Sequence, residues 1–92
     1  MISAAVGIAS TSSLYVTGTV YDTSGATLPG VNVVQKGTTN GVTTDINGFY
    51  SISVTSEKSV LVFTSVGMAT QEITVGQKKV IDVFLTVDTK DL

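Results

Sequence analysis

The sequence predicts an all-β protein: an antiparallel sandwich of seven short strands. Three observations carry this expectation. Apolar residues recur with period two along nearly the whole chain, and no stretch sustains a helical period. Clusters of Gly, Asp, Asn, Ser and Pro interrupt the alternation roughly every 8–12 residues, the spacing of a sandwich. Finally, 92 residues at 42% hydrophobic content are enough for one core and too few for two, and they exclude a disordered chain.

The first strand is set by Leu14, Val16 and Val20, which share one phase with Gly18, while Thr17 and Thr19 take the other. "DTSGATLPG" then supplies turn residues, among them Gly25, Pro29 and Gly30. Val31 and Val33 resume the alternation up to the turn cluster "QKGTTNG". A short strand is expected over Val42–Thr44. The next turn holds Asp45, Asn47 and Gly48, and Tyr50, Ile52 and Val54 then alternate with Ser51 and Ser53. After "SEK" comes "SVLVFTSV", a β-branched and aromatic run suited to a central strand, with Leu61 and Phe63 on one face and Val60 and Val62 on the other. Gly67 marks a bend, and Ile73 and Val75 alternate with Glu72 and Thr74. "GQKK" turns the chain into a last strand with Ile81, Val83, Leu85 and Val87 on one phase. The expected core is Val16, Val20, Val31, Val33, Tyr50, Ile52, Val54, Leu61, Phe63, Ile73, Val83 and Leu85.

Residues 14–88 are therefore expected to form the sandwich. Residues 1–13, small and mildly apolar, read as a flexible lead-in, a leftover of cloning or the tail of a signal peptide lacking its basic start. Residues 89–92 read as the start of a linker to a following region. No apolar run approaches the roughly 20 residues that a bilayer-spanning helix needs, so direct membrane insertion by this stretch is not expected.

Composition excludes several function classes. Five Lys and no Arg cannot build a strong phosphate-binding face, so nucleic acid is not an expected partner. Without Cys or His there is no disulfide framework and no thiolate or imidazole metal site. The stretch Asp45-Ile46-Asn47-Gly48 invites comparison with a calcium loop. Such a loop needs a bidentate Glu six residues after the glycine, where this chain has Val54. A turn is the better reading: Asp45 and Asn47 bond to nearby backbone amides, and Gly48 accepts positive φ. Neither a metal nor a cofactor is expected.

A serine nucleophile needs a positioned base, and without His the ordinary choice is Lys. Ser56 and Ser59 flank Lys58 in a polar turn, where a solvated charge is the reading. The seven acids are scattered over turns and outward strand positions rather than paired for acid–base work. No enzyme is expected.

Several pieces, in order and at their spacing, resemble a known family. They are Val16-Thr17-Gly18-Thr19-Val20, Asp22 to Gly25, Leu28-Pro29-Gly30-Val31, Lys36-Gly37-Thr38, Thr44-Asp45 with Gly48 and Tyr50, and Phe63 with Gly67. Together they look like the carboxypeptidase-D regulatory-like domain, and more narrowly the version at the N-terminus of SusC-like TonB-dependent outer-membrane transporters of Bacteroidetes. Met68 departs from the pattern, which usually has an aromatic there. The chain stops at Leu92, near where such transporters continue toward the plug, which suggests an excised module or a small protein with a borrowed fold.

The resemblance implies a Greek-key sandwich of transthyretin (prealbumin) type. It implies a non-catalytic periplasmic accessory domain of a nutrient transporter, held at the periplasmic face of the outer membrane and acting through protein contacts. The implied partners are the plug and barrel of the same transporter, with TonB and a SusD-like lipoprotein as further candidates. No catalytic residue carries over. The hydroxyisourate-hydrolase branch of this fold relies on His, Arg and a C-terminal Tyr-Arg-Gly-Ser, which this chain lacks. The alternative function is a spacer or accessory binding module of a secreted peptidase, glycoside hydrolase or adhesin, although the absence of Trp disfavours a sugar platform. Exposed edge strands also leave a homodimer of the isolated fragment open.

Overall fold

The computed structural model describes residues 14–87, so the lead-in and linker expectations lie outside the described residues. Seven strands occur in chain order: β1 (Leu14–Tyr21), β2 (Asn32–Gln35), β3 (Gly41–Thr43), β4 (Phe49–Val54), β5 (Val60–Thr64), β6 (Gln71–Thr74) and β7 (Val83–Phe84). They form two sheets, one ordered β4-β1-β7 and the other β3-β2-β5-β6. The fold class read from period two is the one found. The third strand sits one residue earlier than expected, at Gly41–Thr43.

Pairing is antiparallel with one exception. β1 runs antiparallel to β4 from Leu14↔Val54 to Thr19↔Phe49, and β2 pairs with both β3 and β5 in the same manner. β1 and β7 are parallel, with Val20 opposite Val83 and Tyr21 opposite Phe84. The reason is arithmetic. The chain reverses at each of six connections, so the seventh strand travels in the direction of the first and can only pair with it in parallel. One consequence is a division into two poles. The connections 36–40, 55–59 and 75–79 gather with Leu14 at the near pole, and the connections 22–31, 44–48 and 65–70 gather with Val87 at the far pole.

The inward phases of the two sheets meet in one core. Val16, Val20, Val31, Val33, Tyr50, Ile52, Val54, Leu61, Phe63, Val83 and Leu85 are all buried. Ile73, expected among them, is only half-buried, because β6 is an edge strand and covers the core from one side. Val75 and Ile81 are buried members that the expected core omitted. Leu14, Leu28, Val42 and Met68 pack against the margins.

One contact fixes how β7 approaches β1. The Tyr50 hydroxyl, buried, donates to the Ile81 carbonyl at 2.6 Å. That carbonyl lies directly over Gly18, where an added Cβ would come within 1.9 Å of it. In an unbroken parallel ladder the Thr19 N–H would take the Ile81 carbonyl. Here Asp82 Oδ1 accepts the Thr19 N–H instead, at 2.9 Å. The Tyr50 ring also meets Phe63 edge-on, with centroids 5.5 Å apart. Burial, followed by the negative charge of Asp82, pushes the Tyr50 hydroxyl above the ordinary tyrosine range.

This contact can be probed from both sides. Gly18→Ala should cost about 1–3 kcal/mol, because the new methyl displaces backbone rather than a flexible side chain; a urea denaturation midpoint measures this. Tyr50 keeps its proton in the folded state to higher pH than in the unfolded state. Its contribution is therefore complete below the unfolded value of about 10 and is lost as pH rises beyond it. The melting temperature should fall more steeply above that pH in the wild type than in Tyr50→Phe.

Candidate interaction surface

Gly25, Pro29, Gly30, Asp45, Asn47 and Gly48 lie at the far pole, where two turns share one design. In the first, Asp22 Oδ1 accepts from the Ser24 N–H at 2.8 Å, the Ser24 hydroxyl at 2.6 Å and the Ala26 N–H at 3.1 Å. In the second, Asp45 Oδ1 accepts from the Asn47 N–H at 2.8 Å and the Phe49 N–H at 3.0 Å. In both, the glycine three residues after the acid donates its N–H to the acid's carbonyl, Gly25 to Asp22 at 3.1 Å and Gly48 to Asp45 at 2.9 Å. Both glycines have positive φ, +89° and +76°. Asp-x-Ser-Gly and Asp-x-Asn-Gly are thus the same turn written twice, a repetition from which the role of Asp22 could have been read. The Ser24 hydroxyl and then the nearby amides hold the Asp22 carboxyl below the ordinary aspartate range.

Pro29 and Gly30 occupy the central positions of a further turn, and the +76° φ of Gly30 suits the third residue of a type II turn. This turn is held by Thr44, which sequence reasoning missed. The buried Thr44 hydroxyl donates to the Leu28 carbonyl at 2.7 Å and accepts the Val31 N–H at 2.9 Å. Thr44 therefore ties the β1–β2 connection to the end of β3.

A second polar knot sits at the near pole. The buried Gln35 amide donates to Thr55 at 3.0 Å and to Ser59 at 3.2 Å. Asn40 donates to the Gln35 side-chain oxygen at 3.1 Å and to the Ser53 carbonyl at 2.6 Å. Ser59 is thus a buried link in a structural network. Lys58 enters this turn through its backbone N–H, which donates to the Ser56 hydroxyl at 3.1 Å. Lys36 pairs on the surface with Glu72 at 3.0 Å, an exposed ion pair of small energetic value.

Polar groups also blunt the two edges of the β4-β1-β7 sheet. On β4, the Phe49 backbone is closed by Asp45 and the Ser53 carbonyl by Asn40. On β7, Gln71 caps the Phe84 carbonyl at 2.6 Å, and the Ala69 N–H takes the Thr86 carbonyl at 2.8 Å. Edge groups committed in this way are poor templates for another chain.

The outer face of the β4-β1-β7 sheet is open. Tyr15, Thr17, Thr19 and Tyr21 point outward from β1, and Phe49 and Phe84 point outward from the flanking strands. Tyr21 and Phe84 stack with centroids 4.8 Å apart and planes 18° from parallel. Phe49 and Phe84 remain 43% and 56% exposed. The Tyr21–Phe84 stack depends on the parallel register, which no local pattern in the sequence shows. At the near pole, Tyr15 with Lys78 and Lys79 lines an open groove of about 350 Å³.

A profile of the CarboxypepD_reg-like domain family matches residues 16–92. A TonB-dependent receptor of Formosa agariphila is 44% identical over 77 residues, which is 84% of this chain and 7% of the receptor. A second receptor of that organism is 45% identical over 78 residues. The TonB-dependent receptor SusC of Bacteroides thetaiotaomicron is 38% identical over 77 residues, again 84% of this chain and 7% of the relative. The chain thus spans less than a tenth of the length of the curated relatives it matches. Among solved structures, a chain of a type II cohesin–X-dockerin complex from Acetivibrio cellulolyticus superposes with a TM-score of 0.65 at 21% identity, covering 80% of this chain and 58% of that one. That likeness concerns the fold.

The duplicated turn yields a paired test. A side chain at Gly25 meets no atom within 4 Å, so Gly25→Ala should cost only the left-handed backbone, about 1–2 kcal/mol. At Gly48 a Cβ would also come within 2.9 Å of Thr27 and of the Val20 carbonyl, so Gly48→Ala should cost clearly more. Equilibrium unfolding of the two variants side by side measures the difference.

Proposed function

The chain belongs to the CarboxypepD_reg-like domain family, and from that premise we propose that it is a non-catalytic accessory domain of a SusC-like TonB-dependent transporter, acting on the periplasmic side of the outer membrane through protein contacts. The observation that carries this reading is the kinship with TonB-dependent receptors along most of the chain. Two structural features support it. Asp22, Asp45, Thr44, Gln35 and Ser59 are spent on turns and on the link between the sheets, which suits a scaffold rather than a reaction centre. The outer aromatic face around Tyr21, Phe84 and Phe49 offers contact area to a neighbour, for which the plug and barrel of the same polypeptide are the first candidates. TonB and a SusD-like lipoprotein are further partners in this reading.

The test is a deletion of residues 14–88 within a full-length receptor carrying this domain, with barrel abundance in the outer membrane and nutrient uptake both measured. The barrel should assemble at its usual level while uptake falls several-fold. Unchanged uptake at unchanged abundance would remove the accessory role.

A further inference from the structure

β1 and β7 are neighbours, run in the same direction and carry the two ends of the described chain to opposite poles. The chain enters at Leu14 at the near pole and passes Phe84 toward Val87 at the far pole. A pull between those points acts along the strand axes and drives two adjacent strands in opposite senses. The bonds joining them lie across the line of pull, so they share the load together instead of parting one after another.

Beside the Val20–Val83 and Tyr21–Phe84 ladder, four bonds tie β1 to the residues flanking β7 in this way. The Thr17 N–H donates to the Lys79 carbonyl at 3.0 Å, the Ile81 N–H to the Thr17 carbonyl at 2.8 Å, and the Leu85 N–H to the Tyr21 carbonyl at 2.8 Å. The Thr19 N–H donates to Asp82 Oδ1 at 2.9 Å. Side chains add resistance to sliding. The Ile81 carbonyl is seated over Gly18 and held there by the Tyr50 hydroxyl, so β7 cannot slip along β1 without leaving that notch. The Tyr21 and Phe84 rings stack across the same pair of strands. β1 is also paired with β4 along six positions, so it cannot be withdrawn without shearing a second ladder.

We propose that the domain is a force-bearing link, whose β1–β7 pair is a shear clamp that carries tension between the polypeptide entering at Leu14 and the polypeptide leaving at Val87 without unfolding. That tension reaches it in the cell rests on the transporter reading; the clamp itself does not.

Single-molecule pulling of the 92-residue chain tests the clamp. One geometry holds the two chain ends. The other holds the N-terminus and a Lys79→Cys handle, the sole cysteine in the chain, so that the load enters both strands at the near pole and they part bond by bond. Unfolding under load is governed by the unfolding rate, so forces are compared at one loading rate. The end-to-end force should be several-fold the higher. Phe84→Ala and Asp82→Ala, with thermal melts confirming that both variants fold, should lower the end-to-end force and leave the peeling force unchanged. Equal forces in the two geometries, or an end-to-end force indifferent to both substitutions, would overturn the clamp. Should the clamp behave as stated while deletion of residues 14–88 leaves uptake unchanged, the transporter reading falls and the clamp stands.

Discussion

The arrangement depends on the space that Gly18 leaves empty. β7 can lie against β1 only because no side chain at that position meets the Ile81 carbonyl, and the Tyr50 hydroxyl claims that carbonyl from β4. Three strands of one sheet are thereby registered by one oxygen atom. Because the bond is buried, a lost partner would leave a desolvated polar group, which costs more than the bond itself contributes. The Asp82 carboxylate completes the scheme by satisfying the Thr19 N–H that the diverted carbonyl leaves behind. β7, only two residues long as a strand, owes its place to these contacts more than to its ladder.

At the two poles the same logic operates with other side chains. Asp22 and Asp45 close identical turns, and Thr44 binds one of them to the β1–β2 connection, so the far pole is organised by three short polar side chains. Gln35 and Asn40 do the corresponding work at the near pole and join the two sheets there. These groups are the ones a search for chemistry notices first. Their hydrogen bonds show that they are occupied in holding the fold.

Much of the fold was legible because a two-residue rhythm is a local property. Tyr50, Ile52 and Val54 declare their face without reference to any other strand. Ile73 shows the limit: its phase was right, but its depth depends on β6 lying at a sheet edge, which the rhythm does not encode. Gly18 is a similar case. Sequence showed a glycine in phase with buried valines, while the reason for it, a carbonyl near the other end of the chain, exists only after β7 has docked. The parallel pairing, the Tyr21–Phe84 stack and the buried Gln35 network were invisible for the same reason.

The odd number of strands also limits where such a domain can be spliced. A host hairpin or loop presents two anchor points only a few ångströms apart, and a guest inserted there must return its chain close to where it began. Here Leu14 and Val87 stand at opposite ends of a strand whose eight residues, at about 3.3 Å each, separate them by more than 20 Å. The unit is therefore suited to stand in series with its neighbours, as a bead on a thread, and ill-suited to be nested inside one of them.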